Sequence, residues 1–247
     1  MNISPIGFDT LPKATKWLLV CCAAGYVIHI FAGHITDPVL GLVPARITEN
    51  FWLWQMCTYM FIHGSFFHFL FNSLMIWVFG RMFETEWGSV RFLLYFLATG
   101  LGAALMSVLI SPHSSVPVIG ASGSVYGLLT ALAVIFPNAT VYLYFLFPVK
   151  AVQMAVILAA IEFVSGISGA RPGIATFAHL GGMLTGLIWL KGIPYFAGKW
   201  ESFSQRPGQD VSFEVDRILE KINSKGVYSI SSGEKKLLDE YGRSAKR

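Results

Sequence analysis

Apolar residues in this chain come in long runs. Six stand out, at about 16–33, 66–83, 92–110, 122–136, 149–168 and 174–190. Each is roughly 15–20 residues long, the length at which a helix crosses a hydrocarbon layer of about 30 Å. No segment alternates with the period of two that marks a half-buried strand, so the pattern predicts an all-α membrane protein with no sheet. Past residue 193 the pattern changes. Val215, Ile218, Leu219 and Ile222 recur at i, i+3, i+4 and i+7, and Gly226 stands where that helix would end. Ser231 followed by Glu234 reads as a capping box for a second short helix through Leu237 and Leu238. The predicted organisation is an N-terminal segment over 1–15, a six-helix membrane bundle over 16–193, and a linker with a helical hairpin tail over 194–247.

Charge supports this division. Residues 1–193 hold 8 Lys/Arg and 6 Asp/Glu, whereas the remaining 54 hold 10 and 8. Lys13 and Lys16 precede the first run, Arg81 and Arg91 separate the second and third, and Lys150 separates the fourth and fifth. Lys191 and Lys199 follow the sixth, against Arg46 and Arg171 on the other side. The positive-inside rule then assigns both termini to the cytoplasm. The net charge of +4 is accounted for by such loop residues, and no nucleic-acid partner is expected. Cys21, Cys22 and Cys57 lack the spacing of a metal site or a disulfide framework, and Cys21 and Cys22 read as small packing residues. The N-terminus lacks a signal-peptide pattern. One long outer connection, about 34–65, is crowded with Phe51, Trp52, Trp54 and Tyr59, as expected of a segment lying at the bilayer interface.

Runs two, four and six share one direction, so their first residues share one leaflet. There lie His68 and Asn72, Ser122, and His179. The fourth run has about 15 residues, roughly 22 Å at 1.5 Å per residue, and falls short of the hydrocarbon thickness. Ser122 therefore starts about 8 Å below the outer surface, and His179, five residues into its run, reaches the same depth. Polar groups submerged at matched depth imply a buried aqueous pocket. A serine hydroxyl needs a base to take its proton, and a neutral imidazole is the usual one. Ser122 and His179 are the expected nucleophile and base. No carboxylate lies beside His179 by this comparison of run directions; Glu162 receives no role, and a dyad is expected. Tyr126, one turn below Ser122, is expected to pack on the imidazole and orient it. His68 and Asn72, four apart on one helix face, together with the Ser122 amide at a helix start, form the expected oxyanion site. Gly120 permits the turn. Gly123 and Gly127, with Gly182 and Gly186, form two small-residue faces that let helices four and six close together.

At these residues the chain resembles the rhomboid intramembrane serine proteases. The resemblance rests on "HGSFFHFLFN" (His63, His68, Asn72), "GASG" (Gly120 to Gly123) and "AHLGG" (Ala178 to Gly182), and covers roughly 10–193. It implies hydrolysis of a peptide bond in or beside a transmembrane segment of a protein substrate, which enters laterally past helices two and five. Metal and cofactor are not implied, and the absence of H-E-x-x-H excludes the zincin alternative. The implied partners are substrate transmembrane segments and the lipid bilayer. The implied location is a bacterial inner membrane, with the site opening to the outer side. Where many members carry Trp-Arg in the outer loop, this chain has Trp54-Gln55. A silent rhomboid-like client binder is the alternative, although such proteins usually lack the serine or the histidine. A transporter would require inverted repeats that the sequence does not show.

Overall fold

The structure is a computed structural model describing residues 11–143, 147–168, 173–192 and, in the tail, 215, 218–219, 221–223, 226 and 229–244. The chain comprises two compact units, Met1–Ala197 and Gly198–Arg247. The first is built of α1 (Lys13–Leu40), α2 (Pro44–Asn50), α3 (Gln55–Thr58), α4 (Phe66–Trp87), α5 (Ser89–Ile110), α6 (Ser122–Ile135), α7 (Ala151–Ser168) and α8 (Gly173–Gly192). Among the described residues, α1, α4, α5 and α7 are long and apolar enough to cross a membrane, and α6 is a shorter apolar helix.

The bundle is apolar on the outside. Phe31 is 82% exposed and Leu109 67%, in company with Trp17, Phe67, Val90 and Ile167. A continuous exterior of this kind is stable against hydrocarbon and not against water. The interior holds the polar groups and the small residues. In α6, nine of 14 residues are buried, including Gly123, Ser124, Gly127 and Thr130, so this helix forms the centre. The protein is an integral membrane protein.

One buried carboxylate is satisfied by donors from two neighbouring helices. The Glu84 carboxylate, near the end of α4, accepts from Ala14 N (2.8 Å), Thr15 N (2.7 Å), Thr15 Oγ1 (2.7 Å) and Ser89 Oγ (2.5 Å). One side chain thereby caps the N-terminus of α1, where orphan N–H groups and the positive dipole end favour an anion, and also ties α5 to α4.

Two expectations are corrected. The first helix, predicted to end near 33, runs to Leu40 with a break at Ala32 (φ −140°, ψ 29°). The polar stretch that ended the apolar pattern remains helical because His29 Nδ1 and Asp37 Oδ1 pair at 2.8 Å across the break. The strand-free prediction also fails, in one place. An antiparallel hairpin, β1 (Thr140–Leu143) with β2 (Phe147–Lys150), pairs Thr140 with Lys150 between α6 and α7. Its residues are largely β-branched and aromatic.

The long connection after α1 is folded. Gln55 is fully buried; its Oε1 accepts from Val43 N (3.0 Å) and its Nε2 donates to Pro38 O (2.8 Å). The Thr58 hydroxyl donates to Leu40 O at 2.6 Å. Leu42 and Val118 exchange two backbone hydrogen bonds of 2.8 Å, and Gly120 N donates to Tyr59 O at 2.9 Å. The connection thus braces the residues that lead into Ser122.

In the second unit, Ser231 N donates to Glu234 Oε2 (2.7 Å) and Glu234 N to Ser231 Oγ (3.2 Å), closing a capping box at the head of α9 (Ser232–Ser244). Lys221 Nζ reaches both Glu234 oxygens at 2.9 Å.

Two outcomes follow from these contacts. Glu84→Ala leaves the α1 N–H groups and two hydroxyls without their acceptor, and should cost about 2–4 kcal/mol, read as a lowered thermal midpoint in detergent. In the tail, the Ser231 backbone N–H and then Lys221 hold the Glu234 carboxyl at about 2, below its ordinary 4.5. The value in the folded chain is the lower one, so this support is complete above pH 4.5 and is lost as pH falls through about 2. Amide protection factors at the start of α9, corrected for the intrinsic pH dependence of exchange, should fall over that window and stay level above it.

Candidate active site

The head of α6 is shaped by Gly120. Its φ of +114° is strained for any L side chain, and a Cβ there would come within 2.5 Å of the His68 ring. The turn that follows, through Ala121, starts α6 at Ser122 with its first N–H groups free of intrahelical partners. Ser122 Oγ lies 2.7 Å from His179 Nε2, which α8 contributes from its second turn. Tyr126, one turn below Ser122, stacks on the imidazole with ring centroids 4.4 Å apart and planes within 4°. Two polar positions 57 residues apart therefore meet at one place.

Close approach of α8 makes the contact possible. A Cβ at Gly182 would run into the carbonyl of Gly123, and one at Gly186 would meet Tyr95 Oη at 2.5 Å and Gly127 O at 3.3 Å. The partner of the other small face differs from the expectation. Cβ atoms on Gly123 and Gly127 would strike Ala103 and Thr99, so these two glycines clear room for α5, while the α8 glycines press on the backbone of α6. Tyr95 Oη donates to Gly127 O and Ser124 Oγ to Phe96 O, at 2.7 and 2.8 Å, pinning α5 to α6 from the other side.

His68 and Asn72 stand one turn apart on α4. The His68 ring packs on Gly120, while Asn72 is buried with its Nδ2 donating to His68 O at 2.8 Å. Among the described residues neither hydrogen-bonds Ser122. His63 is fully buried, edge-on to His68 at 5.1 Å.

One group was missed. Glu162, to which the comparison of run directions assigned no place near His179, brings its Oε1 to 3.0 Å from His179 Nδ1 and accepts from Tyr126 Oη at 2.7 Å. Its side chain is 4% exposed. The error is one of direction, because α7 runs opposite to α8 and ends where α8 begins. Glu162 lies six residues before the end of α7 and His179 six after the start of α8, about 9 Å in each case. The depth comparison already used for Ser122 and His179 would have found it.

A rhomboid-domain family model matches residues 50–195, more than half of the chain and all of the site. The chain belongs to the rhomboid family. Residues 211–244 match a second family, of unknown function. RHOMBOID-like protein 4 of Arabidopsis thaliana is 35% identical over 60% of this chain and 36% of its own length. RHOMBOID-like protein 6, mitochondrial, from the same plant is 32% identical over 54% of the chain and 41% of the relative. Rhomboid protease GluP of Bacillus subtilis is 32% identical over 66% and 31%. The chain thus spans less than half the length of each of these relatives.

Gly182→Val forces α8 off the Gly123 carbonyl and should lower stability by about 2 kcal/mol or more, seen as a reduced thermal midpoint. Gly192→Val, on the same helix with nothing within 4 Å of its added Cβ, should leave the midpoint unchanged.

Proposed function

We propose that this rhomboid-family chain is an intramembrane serine endopeptidase that hydrolyses a peptide bond in or next to a transmembrane segment. The observation that carries the reading is the 2.7 Å contact of Ser122 Oγ with His179 Nε2 at the head of a buried helix. Similarity to GluP, a rhomboid protease by name, supports the same chemistry.

Nε2 removes the hydroxyl proton as Oγ bonds to the substrate carbonyl carbon, and the C=O π electrons move to oxygen. The oxyanion is met by the free N–H groups at the start of α6, by His68, and by the Asn72 N–H not engaged with His68 O. Collapse breaks the C–N bond, and the imidazolium returns its proton to the departing amine. Water, deprotonated by the same nitrogen, then releases the acyl group and restores Ser122. The domain over 16–193 crosses the bilayer six times, with α8 and the short α6 included. Both termini are cytoplasmic, the site opens toward the outer side, and the membrane is a bacterial inner one. Substrate segments enter laterally from the lipid, where the large apolar side chains of α4 and α7 face outward.

Cleavage of a type-I transmembrane substrate in detergent tests the reading. Wild type should cut, while Ser122→Ala and His179→Ala should each lose at least about 10³-fold. The double variant should lose no more, because the two residues act as a unit. Retained cutting by Ser122→Ala contradicts the proposal, and a wild type that holds substrate segments without cutting them replaces it with client binding.

A further inference from the structure

A carboxylate inside a low-dielectric bundle is costly unless donors surround it. Glu162 is nearly fully buried on α7, and two of its close partners belong to the site: Tyr126 Oη and His179 Nδ1. For Nε2 to accept from Ser122, the neutral imidazole must carry its proton on Nδ1. Which nitrogen holds the proton is set by what the other one faces. Among the described residues Nδ1 has no in-line hydrogen-bond partner. The Glu162 oxygen 3.0 Å away lies off the N–H axis, so the contact in this structure is one of charge and not a formed hydrogen bond. A negative oxygen there attracts an N–H and repels a nitrogen lone pair.

We propose that Glu162 is a positioning residue for His179, its carboxylate selecting the Nδ1–H tautomer and stabilising the imidazolium formed when Nε2 takes the Ser122 proton. The inference rests on the Ser122–His179 reading above and extends it from two residues to a chain across α6, α8 and α7. Tyr126 serves twice, fixing the imidazole plane by stacking and holding the Glu162 oxygen in place through its hydroxyl. Glu162 takes no proton. The Ser122 O–H bond breaks, the Nε2–H bond forms, and the positive charge that results is met at the opposite edge of the ring. A purely structural Glu162 would serve only to join α7 to α6 through Tyr126.

Glu162→Gln separates the two roles, because it keeps the shape and an oxygen acceptor for Tyr126 while removing the charge. The full chain in detergent micelles, labelled with ¹⁵N-histidine, reports the His179 tautomer directly, with the signal assigned by its loss in His179→Ala. The proposal predicts Nδ1–H in wild type and a mixture or Nε2–H in Glu162→Gln, with equal thermal midpoints. Cleavage should show kcat down about tenfold or more and KM little changed, with partial recovery in Glu162→Asp. An unchanged tautomer and kcat in Glu162→Gln overturns the proposal, as does Nε2–H in wild type, a result that needs no variant to fold. The two readings fail separately. If Ser122→Ala is dead and Glu162→Gln is normal, only the role of Glu162 falls. If Ser122→Ala still cuts while the tautomer shifts in Glu162→Gln, the tautomer selection stands and the Ser122–His179 mechanism falls.

Discussion

Everything at the site depends on how closely α8 lies against α6. The carbonyl of Gly123 occupies the space that a side chain at Gly182 would need, and Gly186 repeats the approach one turn on. Ordinary side chains at these positions would hold the helices apart by several ångström, since packed helices otherwise sit about 8–10 Å axis to axis. The Ser122–His179 contact would then open beyond hydrogen-bond reach. In hydrocarbon no hydrophobic force drives two apolar helices together, so small residues and interhelical hydrogen bonds must do it. The bonds from Tyr95, Ser124 and Tyr59 to carbonyls of neighbouring helices complete that task.

The same constraint explains the distribution of polarity. A bilayer core offers no water to an exposed polar group, so polar side chains there favour protein partners. Glu84 has them in full, with four donors about one carboxylate. Ser122, His179, Tyr126 and Glu162 form a connected set on three helices. The braced outer connection keeps the turn at Gly120 in register through the Leu42–Val118 and Gly120–Tyr59 bonds, so the positive φ is held by backbone pairing on either side. Gln55 serves this connection by bridging α1's end to Val43 with its amide, a task for which its length and dual donor-acceptor character are suited.

Much of this is legible in sequence because the apolar runs are long and the charges sparse. The helices lie where the runs predict, within a few residues, apart from α1, whose extension hinges on a His29–Asp37 pair invisible to hydropathy. The hairpin after α6 was hidden because a short aromatic, β-branched run looks the same in a strand and in a buried helix. Ser122, His179, His68 and Asn72 could be nominated from shared depth and direction. Glu162 escaped because only helices of the same sense were compared, although an antiparallel neighbour ends at the same leaflet. The division of labour between the glycine faces was beyond sequence, since i, i+4 spacing names a face and not its partner.

The most direct measurement is covalent capture. A fluorophosphonate reacts with a serine only when its oxygen is activated, and the adduct can be located by mass spectrometry of the digested full chain. The account predicts a single adduct on Ser122 in wild type and none on that residue in His179→Ala. Equal labelling of Ser122 without His179, or labelling elsewhere with Ser122 untouched, would contradict it.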